Sequence, residues 1–525
     1  MSVKRLSWFT AVLLAAAAAV VAALALQTPA SSQPAADEAA GSAASRSSLA
    51  RQLARYGKPQ VFVVVVDGLD GDKYDDGSLP FFRSLVRERG TYYKESRSIM
   101  VAETNPNHTA MLTGAYGGKS GIPGNAYALY AAAGESSVKG CPVNGSGPGP
   151  HEALLDPACV RAQTIFQATA GASSGEPITT AGIFGKPKLG TLYAARRNGN
   201  GGSYAADYLW APCPPSGKRP DYCADVPTPT FGYANDATTM DAVLAAARDG
   251  VAGEDGRRRA PGYTFVNLPQ VDYTGHEKGR GREYDQAVAN AQVQLRRLVS
   301  QQKQLGRWNR TVLIVTSDHS MGSTPGQISL TELFVKAGIP ADRFLVTGNG
   351  SLDMVYLTDR SAADRDQLLK RMRTIALGAS NGEASVDEAL YRLPNAADRG
   401  ARFTLKRVHP QWRMDQPLVG DLVVTQKPGG RFAEPINPLA GNHGSPFTTD
   451  NFTMVTGGWK GLARNGTVKG KVGKRFDDTA RNPGQAENVD LAPTAMALLG
   501  LGLPRDNQGR VLREAFVRVG SSRGR

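Results

Sequence analysis

Three apolar runs, each followed by a carboxylate, constrain this chain more than any other feature. Val61–Val66 is apolar at every position and stops at Asp67-Gly68; Tyr263–Leu268 leads within a few residues to Asp272; Thr311–Thr316 leads to Asp318-His319. A strand with one wet face alternates apolar and polar residues, so an unbroken run needs cover on both faces, as in a parallel sheet between helices. Apolar residues at helical spacing over Leu79–Glu88, Ala237–Arg248 and Glu283–Gln304 supply that cover. The alternation predicts an α/β fold, with a central, mostly parallel sheet flanked by helices on both faces and with inserted cap regions. Open sheets of this kind collect ligands beyond the C-terminal ends of their strands, so the three aspartates are expected at one shared site.

The ends of the chain read differently. Lys4 and Arg5 precede an apolar run from Trp8 to Leu26, which makes residues 1–30 an export signal or, left uncleaved, an N-terminal membrane anchor. Residues 31–57, rich in Ala, Ser, Gln and Pro, read as a flexible linker, and residues 516–525 as a basic tail. Between them, residues 58–515 form the expected catalytic domain, with insertions at about 117–229 and 340–428. The first insertion is rich in Gly, Pro and Asn, holds all four cysteines and reads as a lid; the second has short strand and helix signals without chemistry of its own. Export to a secreted or extracytoplasmic location permits disulfides. Of the three possible pairings the local one is expected, Cys141 with Cys159 and Cys213 with Cys223.

Lys and Arg outnumber Asp and Glu by 61 to 47, a formal charge of +14. The surplus is spread along the chain and forms no basic arm, which argues against specific nucleic-acid binding and for a small phosphorylated substrate. Contact with a membrane is expected only through the N-terminal run.

Asp67, Asp272, His276, Asp318, His319 and His443 are oxygen and nitrogen donors of the kind zinc takes. Any one alone is ordinary: an Asp after a strand usually caps a turn, and a lone His is usually just hydrogen-bonded. Six together, beside a candidate nucleophile in Glu103-Thr104-Asn105-Pro106-Asn107-His108-Thr109, are not. Phosphoester hydrolysis demands rate factors of up to about 10²¹, whereas one general base supplies about 10²–10⁴. A threonine hydroxyl is scarcely ionised at neutral pH, so a dication must stabilise its alkoxide while a second holds the leaving oxygen.

Residues 61–69, 100–125, 265–280, 311–323, 441–445 and 488–511 resemble, in order, the blocks of the type I phosphodiesterase and nucleotide pyrophosphatase family of the alkaline phosphatase superfamily. The resemblance implies an alkaline-phosphatase-like fold, Thr104 as nucleophile, and a phospho-threonine intermediate that water opens from the opposite side. It assigns one zinc to Asp272, His276 and His443 and the other to Asp67, Asp318 and His319, with the Thr104 oxygen touching the second. Asn125 matches the family asparagine that binds a nonbridging phosphate oxygen. His108 matches a position that supports the nucleophile turn and takes no metal. Lys186 and Lys188 follow a strand expected over Thr180–Phe184, and their Lys-x-Lys pattern resembles that of phosphonoacetate hydrolases. Reaching into the site, they would bind substrate; two solvated surface lysines are the equal alternative. The leading expectation is an exported hydrolase, using two divalent ions with zinc foremost, that cleaves phosphodiester or pyrophosphate bonds. A phosphomonoesterase or phosphonoacetate-hydrolase-like enzyme is the near alternative, and a non-catalytic cell-surface binding protein the alternative of another class.

Overall fold

In a computed structural model of the chain the three apolar runs lie side by side. The central sheet has nine strands: β1 (Gln60–Val66), β2 (Gly90–Tyr93), β3 (Thr180–Phe184), β4 (Tyr208–Pro212), β5 (Cys223–Ala224), β6 (Tyr263–Leu268), β7 (Thr311–Thr316), β8 (Thr453–Gly457) and β9 (Gly466–Val468). Their spatial order is β5-β4-β3-β6-β1-β7-β8-β2-β9. Neighbours are parallel throughout, except that β8 runs antiparallel to β7 and β2. Val66 pairs with Leu268, and Val65 with Thr316. The three strands therefore end nearly level, and the residues just past their ends meet at one edge of the sheet. The structure describes residues 49–170, 177–197, 203–217, 219–433, 439–464, 466–468 and 485–517.

Seven helices matter for the site: α1 (Pro80–Arg89), α2 (Thr104–Thr113), α3 (Asp236–Asp249), α4 (Gln270–Lys278), α5 (Arg282–Gln304), α6 (Arg365–Leu377) and α7 (Leu491–Leu498). On one face of the sheet Phe62, Val64 and Val66 share a core with Phe82 of α1, Met240 and Val243 of α3, and Val288 and Leu295 of α5. On the other face Phe265 meets the His108 ring of α2 edge-on at 6.0 Å, and α7 packs against α2. Every residue of Val61–Val66 is buried, so removing any of these side chains would open a cavity in a close-packed layer.

The insertions differ from expectation. Three strands that fall within the first, β3, β4 and β5, belong to the central sheet; β3 is the strand expected over Thr180–Phe184, whereas β4 and β5 are short and set among Gly- and Pro-rich loops, which hid them. The separate part of that segment is a sheet of four short strands between Ala128 and Ala153. Both disulfides are the local ones, Cys141–Cys159 beside the small sheet and Cys213–Cys223 between β4 and β5. The second insertion folds as a five-stranded antiparallel sheet (Phe344–Asn349, Leu352–Leu357, Leu422–Gln426, Ala384–Tyr391, Ser380–Asn381) around its own core, with Phe344, Val355, Val424 and, from α6, Leu369 and Met372.

The expected signal or anchor (1–30), most of the linker, and 518–525 of the basic tail lie outside the described residues. Within the segment expected to be a linker, residues 49–56 are helical. Their Leu, Ala, Arg and Gln are strong helix formers, and Tyr56 packs edge-on against Trp459 at 6.4 Å.

Candidate active site

At the end of β1 the Asp67 N–H donates to the Leu268 carbonyl at 3.0 Å, and the chain turns at Gly68, φ +76°. A Cβ on Gly68 would stand 2.9 Å from the Asp272 Cα. Only glycine lets this turn lie against α4 and bring the Asp67 and Asp272 carboxylates together. Asp318 follows β7, and its Oδ1 accepts the Gly68 N–H at 3.1 Å. His319 donates from Nδ1 to the Ser320 carbonyl at 3.0 Å, which turns Nε2 toward Asp318 Oδ2 at 3.2 Å and Asp67 Oδ1 at 3.7 Å.

His276 lies one helical turn after Asp272 on α4, on the same face. Its Nδ1 donates to the Gly441 carbonyl at 3.0 Å, leaving Nε2 3.3 Å from Asp272 Oδ1 and 3.1 Å from His443 Nε2. His443 Nε2 is 3.5 Å from the same Asp272 oxygen. This meeting depends on Gly441, where a Cβ would fall 2.4 Å from the Gly275 carbonyl oxygen. The His319 and His443 rings stack at 3.5 Å and join the two clusters. Asp67, Asp318 and His319 form one set of donor atoms lying within 4.8 Å of one another; Asp272, His319 and His443 form another, bordered by His276.

These donors fit divalent metal ions. Asp272 Oδ1, Asp318 Oδ2 and His319 Nε2 are buried and lack a hydrogen-bond partner among the described residues, a costly state for polar atoms unless something else binds them. The 3.1–3.5 Å separations among Asp272 Oδ1, His276 Nε2 and His443 Nε2 match the distance of about 3.3 Å between ligands of a tetrahedral ion bound at about 2 Å. Each imidazole also gives its other nitrogen to a carbonyl, as metal-binding histidines do.

Thr104 is the first residue of α2 and is buried beside this cage. The side chain that joins them is Lys186: its Nζ lies 2.9 and 2.8 Å from the two Asp67 oxygens, 2.7 Å from Asp272 Oδ2 and 3.1 Å from Thr104 Oγ1. Lys188, two residues on, is half-buried and is not among the described side chains that hydrogen-bond in the cage. Asn125 reaches the same place from the loop after α2, where its Oδ1 accepts the Asn105 N–H at 2.8 Å and its amide donates to Glu103.

The sequence matches the profile "Type I phosphodiesterase / nucleotide pyrophosphatase" over residues 61–446. The chain belongs to the type I phosphodiesterase and nucleotide pyrophosphatase family. Its fold is also that of murine ectonucleotide pyrophosphatase / phosphodiesterase 5, at TM-score 0.56 and 15% identity, covering 85% of this chain and 96% of that one. The human protein of the same name gives TM-score 0.55 and 14% identity over 84% and 95%. An inactive variant of the murine protein, solved in complex with AMP, matches at TM-score 0.56 and 15% identity over 85% and 96%. No curated protein sequence matches the chain.

In this family member the electrostatics follow from burial of three aspartates in one cage. Burial, then the neighbouring Asp67, pushes the Asp318 carboxyl well above the ordinary range. Burial also raises Asp67, although Lys186 opposes it. Asp272 goes the other way: burial acts upward, but Lys186, His276 and His443 outweigh it and hold the group well below its usual value. Burial and the adjacent Lys186 press His108 down to about 3, so it is neutral, donating from Nδ1 to the Thr104 carbonyl at 2.9 Å and accepting the Asn267 amide at 3.0 Å.

Two residues of the site escaped the sequence reading. Asn267 donates to Asp67 Oδ2 at 2.7 Å as well as to His108; a polar residue inside the apolar β6 run was the available signal. Glu103, buried next to Thr104, carried no signal beyond its position.

Proposed function

We propose that this family member is an exported hydrolase that uses two divalent ions, zinc foremost, to cleave phosphodiester or pyrophosphate bonds through a phospho-threonine intermediate. The observation that carries the reading is the set of orphaned, buried donor atoms, Asp272 Oδ1, Asp318 Oδ2 and His319 Nε2, facing a shared space beside Thr104. Asp67, Asp318 and His319 would hold one ion, and Asp272, His276 and His443 the other. Bound there, the pair would supply the positive charge that favours a threonine alkoxide and stabilises the leaving oxygen.

The chain's own groups do the rest. Thr104 Oγ1 attacks phosphorus, a P–O bond to the leaving group breaks, and water later attacks the phospho-threonine and releases the hydroxyl. Lys186, donating to Oγ1 at 3.1 Å, favours the oxygen's negative charge by proximity. The N-terminus of α2 faces the same charge. Asn125 offers an amide N–H to a nonbridging oxygen. A nucleotide suits this reading, since the murine relative with the same fold binds AMP. Two disulfides support an oxidising compartment, and no helix among the described residues is long and apolar enough to cross a membrane.

One observation favours a second reading. A buried lysine touching both Asp67 and the Thr104 hydroxyl adds a cation suited to a dianionic monoester or phosphonate. Metal analysis and turnover of a diester, a matched monoester and phosphonoacetate separate the readings. About two ions per chain and a dominant diester rate are expected; a diester rate far below the others moves the assignment to monoesters or phosphonates. A metal-free, folded and inactive protein would support the non-catalytic binder instead.

A further inference from the structure

The Glu103 carboxylate lies between two parts of the site that no motif connects. Oε1 is 3.2 Å from His443 Nδ1, and the other oxygen accepts the Asn125 amide. The side chain is buried in a slot that only glycines leave open: a Cβ on Gly350 or Gly444 would stand 2.9 or 3.0 Å from Oε1. Gly350 comes from a hairpin turn of the second sheet and Gly444 is the residue after His443, so two segments remote from Glu103 in the sequence are shaped around its carboxylate.

A carboxylate only accepts hydrogen bonds, and this fixes the state of both partners. His443 Nδ1 faces two acceptors, Glu103 Oε1 and the Ala102 carbonyl at 3.0 Å. The proton therefore sits on Nδ1, and the Nε2 lone pair points at Asp272 and His276. Asn125 lies between an acceptor, Glu103, and a donor, the Asn105 N–H at 2.8 Å. Its amide can take only one of its two flips, with the second N–H left for another partner. Glu103 is also the extended residue immediately before α2, so the same backbone step sets Thr104.

We propose that Glu103 is a positioning residue that orients His443 as a metal ligand and Asn125 as a phosphate-binding amide at once, one oxygen for each. The inference rests on the roles given to those two residues above. The isosteric variant Glu103→Gln of the full chain tests it, with zinc affinity read by competition against a chromophoric chelator and kcat/KM read on a phosphodiester at saturating zinc. Zinc affinity should fall about ten- to a hundredfold. At saturating zinc kcat/KM should fall about tenfold in the parent and hardly change further in an Asn125→Ala background, because the effect runs through that amide. A general structural role would lower kcat/KM equally in both backgrounds and leave zinc affinity alone, and that result overturns the proposal. Glutamine keeps one acceptor oxygen, so Glu103→Ala, which removes both, must move both readouts, and a change in only one there overturns it as well. Glu103→Asp keeps the charge but is one methylene short of spanning both partners, and should lose both readouts; it carries the test if the glutamine variant does not fold. A parent that binds no zinc and cleaves no phosphoester overturns the reading of the site and this inference with it. An active, zinc-loaded parent with an unaffected Glu103→Gln overturns the inference alone.

Discussion

The central sheet and the second sheet contribute to the site in opposite ways. The central sheet is parallel where it matters, apolar to the end of each strand, and places its polar groups just past those ends: Asp67 after β1, Asp272 after β6, Asp318 and His319 after β7. The second sheet is antiparallel around its own core. It reaches the site through one hairpin turn, where Asn349 accepts the Ala126 N–H at 3.1 Å and donates to its carbonyl at 2.8 Å, and the Ser351 N–H donates to the His443 carbonyl at 2.6 Å. Asp67, Asp272, Asp318 and His319, four of the six candidate metal donors, follow the buried strands, whereas the second sheet supplies none of the six and bonds to backbone beside Asn125 and at His443. The sharpest break of this contrast is Thr104→Ala, which removes the one hydroxyl among the donors. Turnover should fall by about 10³-fold or more, on the scale of losing a nucleophile, while metal content and circular dichroism stay those of the parent. Full activity in this variant would remove Thr104 from the mechanism.

How much of this was legible obeys the same division. Burial on both faces writes itself into composition, so β1, β6 and β7 could be read from predominantly apolar runs, and their three aspartates as strand-end residues. β4 and β5 could not, because Pro212, Pro214 and the glycines around them look like loop. Lys186 shows the limit of local reading: Lys186 and Lys188 share one motif, yet only the first enters the cage, since its partners Asp67, Asp272 and Thr104 come from other elements. Glu103 is the clearest loss. Beside Thr104 it reads as a residue preceding a helix, and its role depends on glycines hundreds of positions away.

Asp236 extends the contrast to the layer behind the cage. It opens α3, its Oδ1 accepts the Gln270 N–H at 2.9 Å, and its Oδ2 is buried with no hydrogen-bond partner among the described residues. Burial raises its pKa from 3.8 to about 7, against the Gln270 bond and helped by the charge of Asp67. The folded state thus keeps this proton to higher pH than the unfolded chain does. The stability it contributes is whole below about pH 4 and is lost as pH rises through about 7. Asp236→Asn should gain on the parent over that window by up to about 4 kcal/mol, read from denaturant melts at several pH values. A gap that does not vary with pH would exclude this titration.

The small cap sheet offers a smaller effect, confined to the periphery. Replacing Cys141 and Cys159 by serine opens the loop closed by their disulfide, which spans 18 positions, and should cost about 3 kcal/mol. Hydrogen exchange should locate the loss: amides of residues 128–153 exchange faster, while those of β1, β6 and β7 keep their protection. Equal loss in the central strands would mean that the cap is not an independent unit.

The mildest test bears on the hairpin turn itself. Gly350 sits at φ +71°, and a Cβ there would lie 2.2 Å from the His443 carbonyl oxygen and 2.9 Å from Glu103 Oε1. Gly350→Ala must therefore shift the turn or the imidazole behind it, where the hairpin of the second sheet meets His443. The expected result is a fall in kcat/KM of roughly tenfold, equivalent to about 1.4 kcal/mol, with a modest drop in thermal stability from the strained backbone. Leu377→Ala, at the end of α6 in the same unit and 40% exposed, should change stability by no more than about 0.5 kcal/mol and leave kcat/KM alone. If both substitutions act alike on kcat/KM, the second sheet supports the enzyme only by staying folded, and its hairpin has no particular hold on His443.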